Sequence, residues 1–306
     1  MAGSTGLVGT SLVNNFKNSG HEVIGLSRKN VDLQNLPQTI EVLKRISPDL
    51  IIDAAAKVGG IGANNRFPVD FLLDNIAIQG NLFQAAHQAK VKKLVFLGSS
   101  CIYPRDCQQP IKEEYLMTGV LEPTNSAYAI AKIAGIELIN SYRKQYGLNW
   151  ISLMPTNIYG PCDNFDLAES HVLPAFVRRF VEAVEIGASK VTLWGSGAPL
   201  REFLHVDDLA NAVLIASEKY DSDLHLNIGS GEDLSIKKLA EKVASLTGFV
   251  GEIEWDISKP DGTPRKVLDV SRIKSLGWEP RISLDQGISS TITWYKEASA
   301  RGEVRK

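Results

Sequence analysis

Cysteine is scarce in this 306-residue chain, which holds only Cys101, Cys107 and Cys162. Their number is odd and their spacing is not that of a metal site. That excludes a disulfide scaffold and argues for free thiols in a reducing compartment. Charge of one sign is missing too. Lys and Arg number 33 against 35 Asp and Glu, a net charge of −2, so nothing draws the chain to nucleic acid or a membrane surface. An anionic ligand would have to be held by a local basic cluster. No apolar run approaches the ~20 residues of a membrane span. The opening Met1-Ala2-Gly3-Ser4 has neither the basic nor the apolar stretch of a signal peptide. Together these absences predict a cytoplasmic protein. Internal repeats and low-complexity linkers are also lacking.

What remains is an ordinary globular composition, 44% hydrophobic and 22% charged, enough for one large core or two modest ones. The first half alternates short apolar runs with longer helical patterns. Strands are predicted at 22–26, 50–54, 93–97 and 149–153, with helices over 7–18, 69–89 and 126–145 between them. Such alternation predicts an α/β fold, a Rossmann-type doubly wound parallel sheet covered by helices on both faces. Further helices are predicted over 170–187, 208–219, 235–247 and 283–298, with strands at 191–194, 202–205 and 224–228. The Tyr159-Gly160-Pro161 stretch marks a change of domain. Residues 1–160 with 204–228 would form the dinucleotide domain, and 161–203 with 229–306 a smaller substrate domain.

Glycines fall at three-residue steps in Gly3-Ser4-Thr5-Gly6-Leu7-Val8-Gly9, just before a helical pattern. Spaced so, they permit a tight turn, close approach of the backbone to a pyrophosphate, and an open helix N-terminus aimed at it. This fingerprint ordinarily follows a central strand, yet only Met1 and Ala2 precede it. Either that strand has been lost or another segment fills its slot. The second strand ends in Ser27-Arg28-Lys29 instead of the carboxylate that would accept from the ribose hydroxyls of NAD. Arg28 can pair with a 2′-phosphate, so the predicted cofactor is NADP(H), unless the two cations are only a solvated turn.

Downstream, Tyr128 and Lys132 lie four apart in a helical pattern, on one face. The strand 93–97 runs into Gly98-Ser99-Ser100-Cys101-Ile102-Tyr103-Pro104, which brings Ser99 to the ligand end of a parallel sheet. Serine, tyrosine and lysine suit a carbonyl substrate: Ser99 hydrogen-bonds its oxygen, Tyr128 exchanges the proton, and Lys132 stabilises the phenolate.

This set resembles the short-chain dehydrogenase/reductases, and the length resembles their extended branch. Several blocks are similar to the GDP-L-fucose synthases within it: Ala54 to Gly60, Gly98 to Pro104, Glu122-Pro123-Thr124-Asn125, Met154-Pro155-Thr156-Asn157, Ser170-His171-Val172 and Lys259 to Lys266. The resemblance implies 3,5-epimerisation and then NADPH-dependent 4-keto reduction of GDP-4-keto-6-deoxy-D-mannose. It also implies a homodimer, built on the helices over 69–89 and 126–145. By the same resemblance Cys101 is the base and His171 the acid, where the residues alone read equally as a buried thiol and a satisfied histidine. Gly3 to Val8, Arg28, Asp32, Leu33, Ala55, Lys57, Tyr128, Lys132, Pro155, Asn157, Ile158 and His171 are expected at the cofactor. Asn157, Arg179, Trp194, Arg201 and Lys266 are expected at the GDP-sugar. Ser4-Thr5 stands where bacterial relatives often carry His-Arg, which removes one 2′-phosphate contact. The alternatives are another nucleotide-sugar epimerase or dehydratase of this branch, and an inactive NADP-binding homologue.

Overall fold

The computed structural model describes residues 1–259 and 261–305. In chain order the helices are α1 (Leu7–Asn18), α2 (Leu36–Ile46), α3 (Ile61–Arg66), α4 (Pro68–Gln88), α5 (Ser126–Tyr146), α6 (Val172–Glu185), α7 (Val206–Lys219), α8 (Ile236–Thr247), α9 (Ser271–Ser275) and α10 (Leu284–Ala300). The strands are β1 (Leu50–Asp53), β2 (Lys93–Leu97), β3 (Asn149–Pro155), β4 (Asn157–Tyr159), β5 (Lys190–Trp194), β6 (Leu200–His205), β7 (Leu226–Ile228), β8 (Asp233–Ser235), β9 (Glu252–Asp256) and β10 (Arg265–Lys266). The doubly wound α/β expectation holds.

β1, β2, β3 and β7 lie side by side, all parallel, with Ile51 opposite Leu94 and Leu94 opposite Trp150. Their apolar runs are continuous because helices cover both faces, so no residue needs to face water. Leu94, Val95, Phe96, Trp150, Ile151 and Leu153 are fully buried. Phe96 meets Phe83 of α4 edge-on, with centroids 5.4 Å apart, a pairing worth about 0.5–1.5 kcal/mol beyond its area.

The slot before the glycine turn is filled by the chain's own first two residues. Ala2 is fully buried and bridges both Leu26 and Asp53 in parallel. Its N–H donates to Ile52 O (2.9 Å), and it accepts from Ala54 N–H at 3.2 Å. The expected strand at 22–26 is corrected here. With only Met1 and Ala2 to pair against, the ladder shrinks to the single bridge at Leu26, and the Met1 amine donates to Ile24 O at 2.9 Å.

A second hydrophobic core gathers Phe165, Phe176 and Phe180 with Val191, Leu239, Ile288 and Tyr295. Small sheets flank it: β4, β10 and β8 around β6, and β5 with β9. Within the expected 204–228 return, β7 pairs with β3, while Leu204 and His205 pair with β4 instead. Leu268, Val270, Ile273 and Trp278 pack into the first core although they follow residue 229. Side-chain caps hold two helix starts: Ser283 and Gln286 form a capping box at α10, and Asn35 accepts from Gln38 N–H at α2, a helix absent from the sequence expectation. Among the described residues no helix is long and apolar enough to cross a membrane.

Candidate active site

Two clefts open between the cores and share a wall. The first, about 880 Å³, runs along the ligand ends of β1, β2 and β3. At its floor Gly3 turns with φ +73°, and a Cβ there would sit 2.6 Å from the Ala54 carbonyl oxygen, so only glycine fits. The N-cap of α1 is Gly6, which offers no side-chain cap, and no acid lies in the first turn, which leaves its N–H groups and partial positive charge facing the cleft. Gly3, Thr5, Gly6, Leu7, Val8, Arg28, Asp32, Leu33, Ala55, Lys57, Pro155, Asn157 and Ile158 all line this cleft. Ser4 does not, because its hydroxyl is turned back onto Leu26 O at 3.2 Å. Lys57 faces the cleft while its ammonium is held by Asp70 (2.8 Å) and Asp74 (3.1 Å).

β2 ends at the chemistry. Ser99 caps a single 3-10 turn over Ser100–Ile102, accepting from Cys101 N–H at 3.2 Å. α5 presents Tyr128 and Lys132 one turn apart. Lys132 is buried, its Nζ donating to Leu97 O at 2.9 Å and lying 4.7 Å above the Phe96 ring and 5.9 Å from the Tyr128 ring. Burial pulls Lys132 down to about 8, opposed by Asp53. Burial pushes Asp53 up to about 6, opposed by Lys132, the Ala55 N–H and the N-terminal amine. Sequence reasoning missed Asp53. It closes β1 inside an apolar run, and its approach to Lys132 is made only by strand pairing. Tyr128 is held well above the usual phenol range by burial and by Cys101, with Ser99 pulling the other way. It therefore keeps its proton near neutrality, and Lys132 donates to Leu97 O, with the Asp53 charge acting on it without a direct bond, instead of sitting directly on the phenol oxygen.

The second cleft, about 450 Å³, lies against α6, β5 and β6. Arg179, Trp194, Arg201, Lys266 and Asn157 line it. Arg178, next to Arg179, is tied off by Glu182 at 2.8 Å and Phe165 O at 3.1 Å. Burial disfavours the charge on Arg179 and Arg201, a cost that a bound anion would relieve. Lys259 stands 5.5 Å over the Trp194 ring.

Six residues line both clefts: Gly59, Tyr128, Asn157, Ile158, Ser170 and His171. Ser99 and Lys132 face the first and Cys101 the second. His171 is the N-cap of α6, and water reaches it through the clefts. Its pKa is lowered by the surrounding protein and then by the Lys266 cation. Cys101 Sγ accepts from Asn125 Nδ2 at 3.4 Å and from Lys266 Nζ at 3.6 Å. Cys107, Cys162, His21, His87 and His225 line neither cleft. Asp163 and Arg305, unforeseen in the sequence, line the first. Asp163 is buried, one of its oxygens has no partner among the described residues, and burial pushes it up to about 7.

Residues 1–229 match the model of the NAD dependent epimerase/dehydratase family. The chain belongs to this family. The match confirms the extended short-chain dehydrogenase reading. Within the family, the chain is 51% identical over 296 residues to GDP-L-fucose synthase 1 of Arabidopsis thaliana, covering 96% of this chain and 92% of that protein. It is 47% identical over 311 residues to GDP-L-fucose synthase of Escherichia coli, covering 98% and 97%. The crystal structure of a GDP-L-fucose synthetase from Naegleria fowleri bound to NADP superposes with a TM-score of 0.90 at 29% identity, covering 100% of this chain and 95% of that one. The likeness to GDP-L-fucose synthases seen in the sequence blocks thus extends over nearly the whole family member.

Proposed function

We propose that this protein makes GDP-L-fucose from GDP-4-keto-6-deoxy-D-mannose, inverting sugar carbons 3 and 5 and then reducing the ketone at carbon 4 with NADPH. The observation that carries this is the shared wall. Tyr128 and His171 line both clefts, with Ser99 and Lys132 on one side and Cys101 on the other. A reducing set and a Cys/His proton-transfer pair therefore meet at one point, where a simple 4-epimerase needs only the first.

The first cleft fits a dinucleotide. Its glycine turn leaves room that a Cβ would fill, and the uncapped α1 N-terminus suits a pyrophosphate. Arg28 and Lys29 on its rim suit a 2′-phosphate. Asp32 and Leu33 would border the adenine, and Pro155 to Ile158 the nicotinamide. Bound NADPH supplies the hydride for the ketone carbon. In the second cleft Arg179 and Arg201 hold the diphosphate and Trp194 offers a ring face to the base. We read the first core as the dinucleotide domain and the second as the substrate domain.

Hydrogens beside a ketone are acidic because the anion spreads onto the carbonyl oxygen. Ser99 and Tyr128 stabilise that oxygen by hydrogen bonding. Cys101 Sγ removes the proton and His171 returns one on the opposite face. In the reduction Tyr128 Oη gives its proton to the carbonyl oxygen, with the Lys132 cation beside it to favour the resulting phenolate. The exposed apolar residues Val69, Leu73 and Ile76 of α4 and Ile130 of α5 support a homodimer through these helices. Charge balance and the three free cysteines support a cytoplasmic site.

The test is oxidation of NADPH with GDP-4-keto-6-deoxy-D-mannose, with the sugar product identified by mass and NMR. Turnover to GDP-L-fucose is expected, with Cys101→Ser diverted to a reduced but unepimerised sugar. A folded protein that binds NADPH yet leaves this substrate unchanged would falsify the assignment.

A further inference from the structure

Lys266 reads in the sequence as one more cation for the diphosphate. Its position in the fold is different. β10 is only Arg265–Lys266, and it is laid parallel to β6 so that Lys266 is in register with Arg201. That placement brings Lys266 Nζ to 3.6 Å from Cys101 Sγ, across 165 residues of chain. The same sulfur accepts from Asn125 Nδ2 at 3.4 Å, just before α5 begins. In this arrangement both groups donate to the sulfur: Lys266 has no acceptor, and Asn125 presents its amide nitrogen while its Oδ1 is left without a partner among the described residues. We infer that Lys266, with Asn125, is the positioning residue that holds Cys101 as a thiolate, rather than a ligand of the diphosphate.

A thiolate, not a thiol, removes protons and attacks electrophiles, and a neighbouring ammonium is the usual means of maintaining one. The groups facing the sulfur come from four elements. Lys266 on β10 and Asn125 before α5 touch it, and Arg201 on β6 and Tyr128 on α5 line the same cleft and act on it through their charge or dipole. Two cations and an amide favour the anion and the Tyr128 phenol keeps its proton, while the Glu122 and Asp261 carboxylates that line the same cleft oppose it. The diphosphate retains Arg179 and Arg201 without Lys266.

The same ammonium shares the second cleft with His171 and disfavours its charge. One cation therefore acts on both halves of an inversion, favouring the anionic base and making the imidazolium a readier donor. The proton balance follows. Cys101 thiolate takes the proton from the carbon beside the ketone, and that C–H electron pair moves to the carbonyl oxygen. The pair returns to carbon as His171 imidazolium delivers its N–H proton to the opposite face. Thiol and neutral imidazole remain, and exchange with water restores both.

The part played in epimerisation rests on the proposed function; the state of the sulfur does not, and the test separates the two. Without substrate, the protein is treated with iodoacetamide at pH 7 and each cysteine is followed by peptide mass spectrometry. Cys162, whose thiol burial pushes up, is the internal reference. In the unaltered protein Cys101 should react at least about tenfold faster than Cys162. Lys266→Gln should slow Cys101 by about tenfold, with the loss closing as pH rises, and Lys266→Arg should restore it. Cys101 reacting no faster than Cys162 in the unaltered protein overturns the inference without any variant. An unchanged Cys101 rate in Lys266→Gln overturns it as well, and makes Lys266 a substrate cation only. With substrate in D₂O, Lys266→Gln should lower the rate of deuterium entry at carbons 3 and 5 more than it raises KM. A KM effect alone with full deuterium entry counts against it.

Discussion

The two clefts share Tyr128 and His171, yet they are built from different material. The first is made of backbone: a glycine turn at Gly3, an uncapped α1 and the strand ends after Asp53 and Leu97. The second is made of long side chains, Arg179 from α6, Trp194 from β5, Arg201 from β6 and Lys266 from β10. A backbone site tolerates change in side chains but none at the glycines. A side-chain site loses affinity one charge at a time. This difference explains why the first announces itself as a contiguous motif and the second does not.

The wall between them is the place to break the comparison hardest. Tyr128→Phe should lower kcat by about 10²–10⁴-fold with little change in KM, since the proton donor to the ketone oxygen and one of the two hydrogen bonds to its oxyanion are lost. Equal losses in kcat and NADPH affinity would mean that Tyr128 belongs to the first cleft alone. Arg201→Met should act on the second cleft only, raising the KM for the GDP-sugar about 10- to 100-fold, as expected for a charged hydrogen bond, and leaving NADPH binding intact by fluorescence titration. In the first cleft, Gly9→Ala should cost about 1–3 kcal/mol of stability, because its Cβ would run into the Gly3 carbonyl. A melt of the cofactor-bound protein should show the larger drop.

The smallest effect concerns pH. Lys132 loses its cation as pH rises through about 8, and Asp53 loses its anion as pH falls through about 6. Both are charged only between those values. The reductive rate should fall by about tenfold per pH unit beyond each limb. Asp53→Asn should remove the acid limb and shift the alkaline limb downward, because Asp53 is what raises Lys132. An alkaline limb that stays in place would disconnect Asp53 from the site.

Much of the fold was legible from α5 and β2, whose lengths and apolar periods are local properties. The expected strand at 22–26 was misjudged for a non-local reason. Val23 and Ile24 have strand-like character, but a ladder needs a partner, and only Met1 and Ala2 stand opposite. In the site, Tyr128, Lys132 and Ser99 were legible because their spacing fixes them on one helix face and one strand end. Asp53 and Asn125 were not, since an acid closing an apolar strand and an amide before a helix carry no signal of what they will face.

The sequence by itself determined the glycine turn, the Tyr–Lys spacing and the absence of an acid after Leu26, because each depends on residues within one turn or one strand of each other. Only the tertiary structure decided that the Asp53 charge acts on Lys132, that Ser4 turns back onto Leu26, and that Lys266 reaches Cys101. Those pairings depend on strand order and on the register of a two-residue strand against β6, and chain-distant contacts of that kind exist only once the sheets have closed.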